Sequence, residues 1–352
     1  MAYSTINKST DHFNTKLYTG TGSSNAQTGV GFQPDWLWIK NRNGTQRHNI
    51  LDAVRGVTKR ISSNTTDAEA TNSYMLSSFD SDGFTLGTDS DGYGTNTNGS
   101  TYVAWNWKAN GSGSTNYDGS ITSTVSANTT AGFSIIKYTG TGSNGTIGHG
   151  LGAVPKVYIV KNLDSVGKFW FFPTFFNNAN EYLDGFTSTA GLQTDGNGLT
   201  NSTLPTNSVI SLGTSSTINT SGNDIICYAF CERQGFSKFG NYTGNGNADG
   251  TFIYTGFKPA FVMIKRTDTT NNWLMYDNKR NTFNSVNNYF RANLNDAEGS
   301  GTVGSEYIDF LSNGFKNITS LAGLNASGGG YIYMAFAEAP LVGSNNVPCT
   351  AR

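Results

Sequence analysis

The sequence predicts an all-β protein, built as three tandem, jelly-roll-like β-sandwich domains, and three observations lead there. One segment is written three times, β-type runs recur between turn residues throughout, and no window sustains a helical period.

The repeated segment comes first. KLYTGTGSSNAQTGVGFQPDWLWIK begins at Lys16, KYTGTGSNGTIGHGLGAVPKVYIVK at Lys137, and NYTGNGNADGTFIYTGFKPAFVMIK at Asn241. From Tyr18, Tyr138 and Tyr242 to Pro34, Pro155 and Pro259 is 16, 17 and 17 positions, and from each Pro to Lys40, Lys161 or Lys265 is 6. Each unit closes on an apolar run, YVAWNWKA, IICYAFCE or YIYMAFAE. Its aromatic residue (Trp107, Phe230, Phe336) stands 73, 75 and 77 positions after the Pro. Biased composition does not hold register over such a span, so these are three copies of one unit. The expected boundaries are 1–112, 113–234 and 235–341, with a C-terminal tail at 342–352.

Within each copy, runs rich in Val, Ile, Thr, Phe, Tyr and Trp lie between Gly, Asn, Asp and Ser clusters, the pattern of a sandwich or barrel. TTDAEATN (Thr65 to Asn72) is expected to form a helical turn or two. Each Pro is expected just before a strand, where its missing N–H costs no ladder bond. The strand that follows is apolar on both faces: Trp36 and Trp38 against Leu37 and Ile39, or Phe261 and Met263 against Val262 and Ile264. A half-solvated strand would alternate with polar residues. Its outer face is therefore expected to be covered by a loop, a sister domain or another subunit, and on the last account the chain is a homo-oligomer. The closing strand carries bulk on one face (Val103, Trp105, Trp107; Ile226, Tyr228, Phe230) and small residues on the other (Ala104, Asn106; Cys227, Ala229, Cys231). GSGSTNYDGS after the first copy reads as a flexible linker, whereas RQGFSKFG after the second is too short to bend.

Composition excludes several function classes. Charged residues are 13% and the net charge is −1, so no basic stripe argues for nucleic acid. No apolar run approaches a membrane span, and MAYSTINKSTDHF is not of signal-peptide type. Cys227 and Cys231 are four apart in a strand, about 13 Å, too far for a disulfide, and Cys349 reads as a free thiol.

No catalytic, cofactor-binding or metal-binding residue is assigned. His12, His48 and His149 have no ligand spacing and read as surface or turn residues. Asp89 and Asp91 in TDSDGYGTNTNG invite a calcium reading, yet the segment departs from the ligand ladder and lacks the distal Glu; hairpin turns suit it better. YTGTGS lacks the P-loop lysine and opens no helix. Asp52 and Asp277 each lie 12 positions after the repeat Lys, with Arg55 and Arg280 three further on. Copy two has Pro173 and Phe176 there, so a turn-fixing ion pair, replaced in copy two by packing, is expected.

GFQPDWLWIKNRNG, LDAVRGVTKRISSNTTDAEATNSYMLSSFDSDGFTLGTD and YVAWNWKANG resemble a β-rich domain that recurs in structural proteins of marine bacteriophages, labelled tail-fibre or virion surface proteins. DGSITSTVSANTTAGFSIIKYTGTG and YIYMAFAEAPLVG resemble its following copies. Copy two departs, lacking both D-x-x-R and the SDGF turn. The resemblance implies a non-enzymatic virion protein, assembled in the host cytoplasm and released by lysis. It implies contacts with other virion proteins, a trimer, and contact with a host receptor or surface glycan. The rival readings are a head-decoration or fibre protein of purely structural role, and a glycan-binding or glycan-active module.

Overall fold

A computed structural model describes residues 4–300, 306–342 and 348–349. Most of the expected 342–352 tail lies outside the described residues. The protein is all-β, with 3% helix and 43% strand, and among the described residues none of its sheets closes.

Copy one forms β1 (Phe13–Thr19), β2 (Asn25–Gln27), β3 (Trp36–Asn41), β4 (Asn49–Asp52), β5 (Lys59–Ser62) and β6 (Ala70–Thr71). A hairpin, β7 (Leu76–Asp80) and β8 (Gly83–Leu86), precedes the closing strand β9 (Thr101–Trp107). Copy two opens with β10 (Ser114–Asn116), β11 (Ser123–Asn128) and β12 (Phe133–Thr139). It continues through β13 (Gly145–Gly148), β14 (Val157–Asn162), β15 (Phe169–Pro173) and β16 (Glu181–Gly185), then β17 (Gln193–Thr194), β18 (Val209–Leu212) and β19 (Asp224–Phe230). Copy three has β20 (Ser237–Thr243), β21 (Phe252–Tyr254), β22 (Phe257–Arg266), β23 (Trp273–Asp277) and β24 (Asn288–Arg291). It ends with β25 (Gly299–Ser300), β26 (Ile308–Leu311), β27 (Gly314–Asn317) and β28 (Gly330–Pro340).

Each of the three segments read in the sequence as copies contributes one large sheet, and the strand orders correspond. They are β1-β9-β3-β4-β5-β6, then β12-β19-β14-β15-β16-β17 (extended by β11 and β10), then β20-β28-β22-β23-β24-β25. The closing strand always lies between the first strand and the strand after the Pro, and Trp107, Phe230 and Phe336 pair with Trp36, Val157 and Phe261. A small sheet accompanies each: β2-β8-β7, β13-β18 and β21-β27-β26. SDGF and SNGF make the two-residue turns of β7–β8 and β26–β27; copy two, without that turn, has a small sheet one strand narrower.

Both faces of each large sheet are buried, and different partners bury them. One face meets the small sheet: Leu37, Ile39, Tyr102 and Ala104 with Phe84 and Leu86, and Tyr158, Val160, Cys227 and Ala229 with Ile147, Ile210 and Leu212. The small residues of the closing strand lie here, where bulk would push the sheets apart. The other face meets the other copies. Trp36, Trp38, Trp105, Trp107, Ile135, Ile159, Tyr228, Phe230, Phe261, Met263, Met334 and Phe336 belong to one continuous core. Trp107 lies 5.5 Å from Phe336, Phe230 5.9 Å from Phe336, and Trp36 4.9 Å from Tyr228, ring centre to ring centre. The cover over the two-faced strand is thus supplied by sister copies of the same chain.

Several local expectations are corrected. Thr65 to Asn72 forms no helical turn: it runs irregularly into β6, and Glu69 and Asn72 donate their backbone N–H groups to Leu163 and Thr58. Pro34 and Pro155 precede their strands, but Pro259 sits inside β22, opposite Ala337 and with a register shift on either side of it. The linker is not free. Ser114–Asn116 pairs with β11, and the Ile121 N–H donates to the Thr146 carbonyl at 2.9 Å. His48 and His149 are fully buried, not surface residues; the Trp38 indole N–H donates to His48 Nδ1 at 3.0 Å, and burial lowers both imidazoles' affinity for protons.

Since Trp107, Phe230 and Phe336 share one core, replacing any of them by Ala should cost about 3–5 kcal/mol. The whole chain should then unfold at lower denaturant in one transition. Three separate transitions in urea, only one of them shifted, would contradict a common core.

Candidate functional site

Two sets of polar side chains that sequence reasoning singles out, the Asp-Arg pairs and the repeat lysines, converge on the joints between copies. In copy one, Asp52 accepts from the Arg55 backbone N–H at 2.9 Å and from its Nε at 2.5 Å, both side chains being essentially inaccessible. Asp277 and Arg280 repeat the geometry. The turn-fixing pair exists, and each acid also has a partner in another copy. Asp52 Oδ2 accepts from the Tyr228 hydroxyl at 2.7 Å, and Asp277 Oδ2 from the Trp105 indole N–H at 3.0 Å.

The third joint explains the departure of copy two. Tyr228, Trp105 and Met334 occupy one register on the closing strands, opposite Ile159, Trp38 and Met263. The acid of copy one meets the donor of copy two, and that of copy three meets the donor of copy one. By the same step copy two would meet Met334, which has no proton to donate. Pro173 stands at the acid's position, and Phe175 and Phe176 pack against the central core. A carboxylate there would be buried without either partner, a penalty of several kcal/mol.

A second set of contacts recurs in all three joints. Lys40, Lys161 and Lys265 are fully buried, each donating to carbonyls of its own copy and to one of another: Asn295, Thr66 and Thr189, all at 3.1 Å. These three acceptors each lie four residues past the end of β24, β5 or β16. Three residues further on, the backbone returns the contact. Glu298 N–H donates to Arg42 O, Glu69 N–H to Leu163 O, and Leu192 N–H to Thr267 O, at 2.7–2.8 Å. Desolvation lowers the ammonium pKa from 10.5 to about 7 for Lys40 and about 8 for Lys161 and Lys265. An amine of that kind can be a nucleophile, but these donate to carbonyls and are sealed from solvent. Their role is to join copies.

Sequence reasoning missed the element that holds the glycine-rich loop. Asn96, Asn219 and Asn325 each stand six positions before Tyr102, Ile225 or Tyr331, in an N-x-x-G signature that is legible once aligned. Their side-chain carbonyls accept from the N–H of Thr21, Thr141 and Asn245 at 2.9 Å, and their amides donate to Ser23, Ser143 and Asn247 carbonyls. The hydroxyls of Tyr18, Tyr138 and Tyr242 donate to the carbonyl just before each Asn. A Cβ on Gly20, Gly140 or Gly244 would come within 2.2–2.3 Å of a backbone oxygen, so the loop is pressed onto this strap. That contact leaves no cradle for phosphate.

Asp89 is used in the same structural way. Its carboxylate accepts from the N–H groups of Gly94, Thr95 and Asn96 and from the Thr97 hydroxyl at 3.1–3.2 Å, and Asp91 accepts from the Asn72 amide. Donors surround Asp89, an environment that repels a cation. Among the described residues, no three His, Cys, Asp or Glu side chains gather to hold a metal. The three cysteines are unpaired, and burial pushes the Cys227 and Cys231 thiols up, away from thiolate reactivity.

The chain belongs to a family described as a domain of unknown function, DUF7483, whose pattern matches residues 8–340. The match therefore runs through all three copies and the joints between them. No curated protein matches the chain.

Two outcomes follow from the joints. Asp277→Ala strands Arg280 in the core and should cost about 3–5 kcal/mol. Trp105→Phe should cost about 1 kcal/mol, and the double variant less than the sum, because the two share one bond. Additive losses in urea titrations would exclude that bond.

The lysines set a pH dependence. Unfolded lysines hold protons up to about pH 10.5, whereas the folded ones release theirs above about 7 to 8, so the unfolded state binds more protons between these limits. Stability should rise from pH 7 toward 10. It should fall above 10, as the buried tyrosines, whose folded pKa values are raised, begin to ionise in the unfolded chain. Replacing all three lysines by Met should flatten the rise, read as thermal midpoints across pH 6–10; an unchanged slope would count against the lysines.

Proposed function

We propose that this chain is a non-enzymatic structural protein of a bacteriophage particle, a tail-fibre or other surface-projecting component that contacts other virion proteins and a host receptor or glycan. One observation carries the non-enzymatic part: the three lysines whose amines burial brings nearest to neutrality lie at the joints, donate to backbone carbonyls across them, and are spent on holding copies together. Perturbed groups in a catalyst face a cleft that substrate can reach. The virion part rests on the resemblance of the quoted motifs, from all three copies, to phage surface proteins. In this reading each copy is a jelly-roll-like sandwich, with 1–112, 113–234 and 235–341 as units descended from one tandem repeat. A body cross-linked across every joint suits a projecting arm that must keep its shape outside a cell.

Mass spectrometry of washed, gradient-purified particles should detect the chain in stoichiometric amount. Immunogold labelling should place it on the tail or surface projections. Labelling confined to the capsid would favour head decoration, and recovery only from the soluble lysate would overturn a virion role. Cleavage of host polysaccharide by the purified chain would overturn the non-enzymatic reading.

A further inference from the structure

The small sheets of the three copies end differently at one edge, and the difference points to a partner. The first strand of each small sheet (β2, β13, β21) lies at that edge. In copy two the edge is occupied by the chain itself. Ile121 bridges Ile147 in parallel, its N–H donates to the Thr146 carbonyl, and the Thr146 N–H donates to the Ser120 hydroxyl at 2.9 Å. In copy one the edge reads Asn-Ala-Gln, and both amides are used locally: Asn25 donates to the Thr19 carbonyl and Gln27 to Asn25. In copy three it reads Phe-Ile-Tyr. Ile253 is buried, while Phe252 and Tyr254 are 43% and 53% exposed. Among the described residues no strand pairs with its outer side.

The hydrogen-bond phase of β21 fixes what can pair there. The Thr251 carbonyl accepts from Asn317 N–H on the β27 side, so alternate residues 251 and 253 face β27, and Phe252 and Tyr254 turn their backbone N–H and C=O groups outward. Consider a second β21 laid antiparallel about a two-fold axis at Ile253. Phe252 then stands opposite Tyr254 of the second copy, and Tyr254 opposite its Phe252. Both pairs use outward-facing groups, so both can exchange N–H···O bonds in full. The same register brings each exposed aromatic ring beside one from the other chain on the solvent face, the favourable cross-strand arrangement. No Lys, Pro or acidic residue lies within β21 to blunt the edge, and the charges beside it are paired, Asp249 with Lys316 and Glu232 with Lys238. A net charge of −1 leaves little repulsion between two molecules.

We propose that the β21 edge is a self-complementary dimer contact, joining β26-β27-β21 of two chains into one continuous sheet. A two-fold contact of this type closes on itself and uses the surface once per chain. It differs from the trimer that the phage resemblance implies, and it stands whether or not the virion reading does.

Light scattering on the full chain, at concentrations from micromolar upward, should give twice the 37.7 kDa chain mass. Phe252→Lys or Tyr254→Lys puts a charge on an already exposed face and should weaken dimerisation by about tenfold or more, with an unchanged thermal midpoint. Register is tested separately in a Cys349→Ser background. An oxidised mixture of Phe252→Cys and Tyr254→Cys chains should form a disulfide-linked heterodimer, and neither chain alone should. A monomer at every concentration, a trimer, a dimer indifferent to both lysines, or absence of the mixed disulfide would each overturn the proposal. Success here with no chain in purified particles would leave the contact standing and remove the virion role.

Discussion

Three sheets turn their bulky faces toward one another, and the side chains between them can be buried only if all three are present. Trp36 touches Tyr228 and Phe230, Phe230 touches Phe336, and Phe336 touches Trp107 and Phe13. This sharing constrains nearly everything else. Each large sheet must be apolar on both sides, since its other face carries a small sheet. The closing strands must be asymmetric, with aromatic bulk inward and Ala, Asn or Cys outward. The ends of the shared core must be sealed by groups that tolerate removal from water, and the three lysines do this with carbonyl oxygens alone.

The joints show how much polarity such a core accepts. Asp52 and Asp277 survive in the interior because each has a guanidinium, a backbone N–H and a donor from another copy. Where the donor is absent, at Met334, the acid is absent too. Acid and donor therefore distinguish the joints, and the copies are not interchangeable in order. Pairing of this sort adds little net stability over an apolar contact, but a mismatched neighbour would leave a buried charge without its partner. The large apolar burial supplies stability, and the polar pairs specify which faces meet.

Much of this was legible in the sequence, and the rest failed for identifiable reasons. Alternation along Trp36–Ile39 and Val103–Trp107 shows that two faces are buried and which is bulky, because a strand's period is two. It does not say what lies opposite, so a loop, a sister copy and a second chain read alike until Trp36 is seen beside Tyr228. The constant offset of Lys40, Lys161 and Lys265 marked the repeat, but a lysine in a polar chain gives no sign of burial. Asp52 and Asp277 were readable as turn-fixing residues, whereas their bonds to Tyr228 and Trp105 span more than 170 positions. Asn96, Asn219 and Asn325 were visible in principle, hidden by the many Asn-Gly turns around them. His48 misled because composition favours a surface histidine, while its actual environment is set by Trp38 and Phe290. GSGSTNYDGS has the composition of a free tether, yet Gly119 lets it lie against β13, close to the Thr146 carbonyl.

The contact of Phe13 with Phe336 and Phe261 has a consequence for synthesis on the ribosome. Strand β1 rests on β22 and β28, so the shared core has no complete wall until copy three has left the exit tunnel. Through most of translation the nascent chain displays one or two aromatic faces with nothing opposite them. The shared core can form only after copy three is made, and a product cut short before it exposes aromatic surface that the full core would cover. Chaperones that mask aromatic surface therefore have a direct hand in the yield.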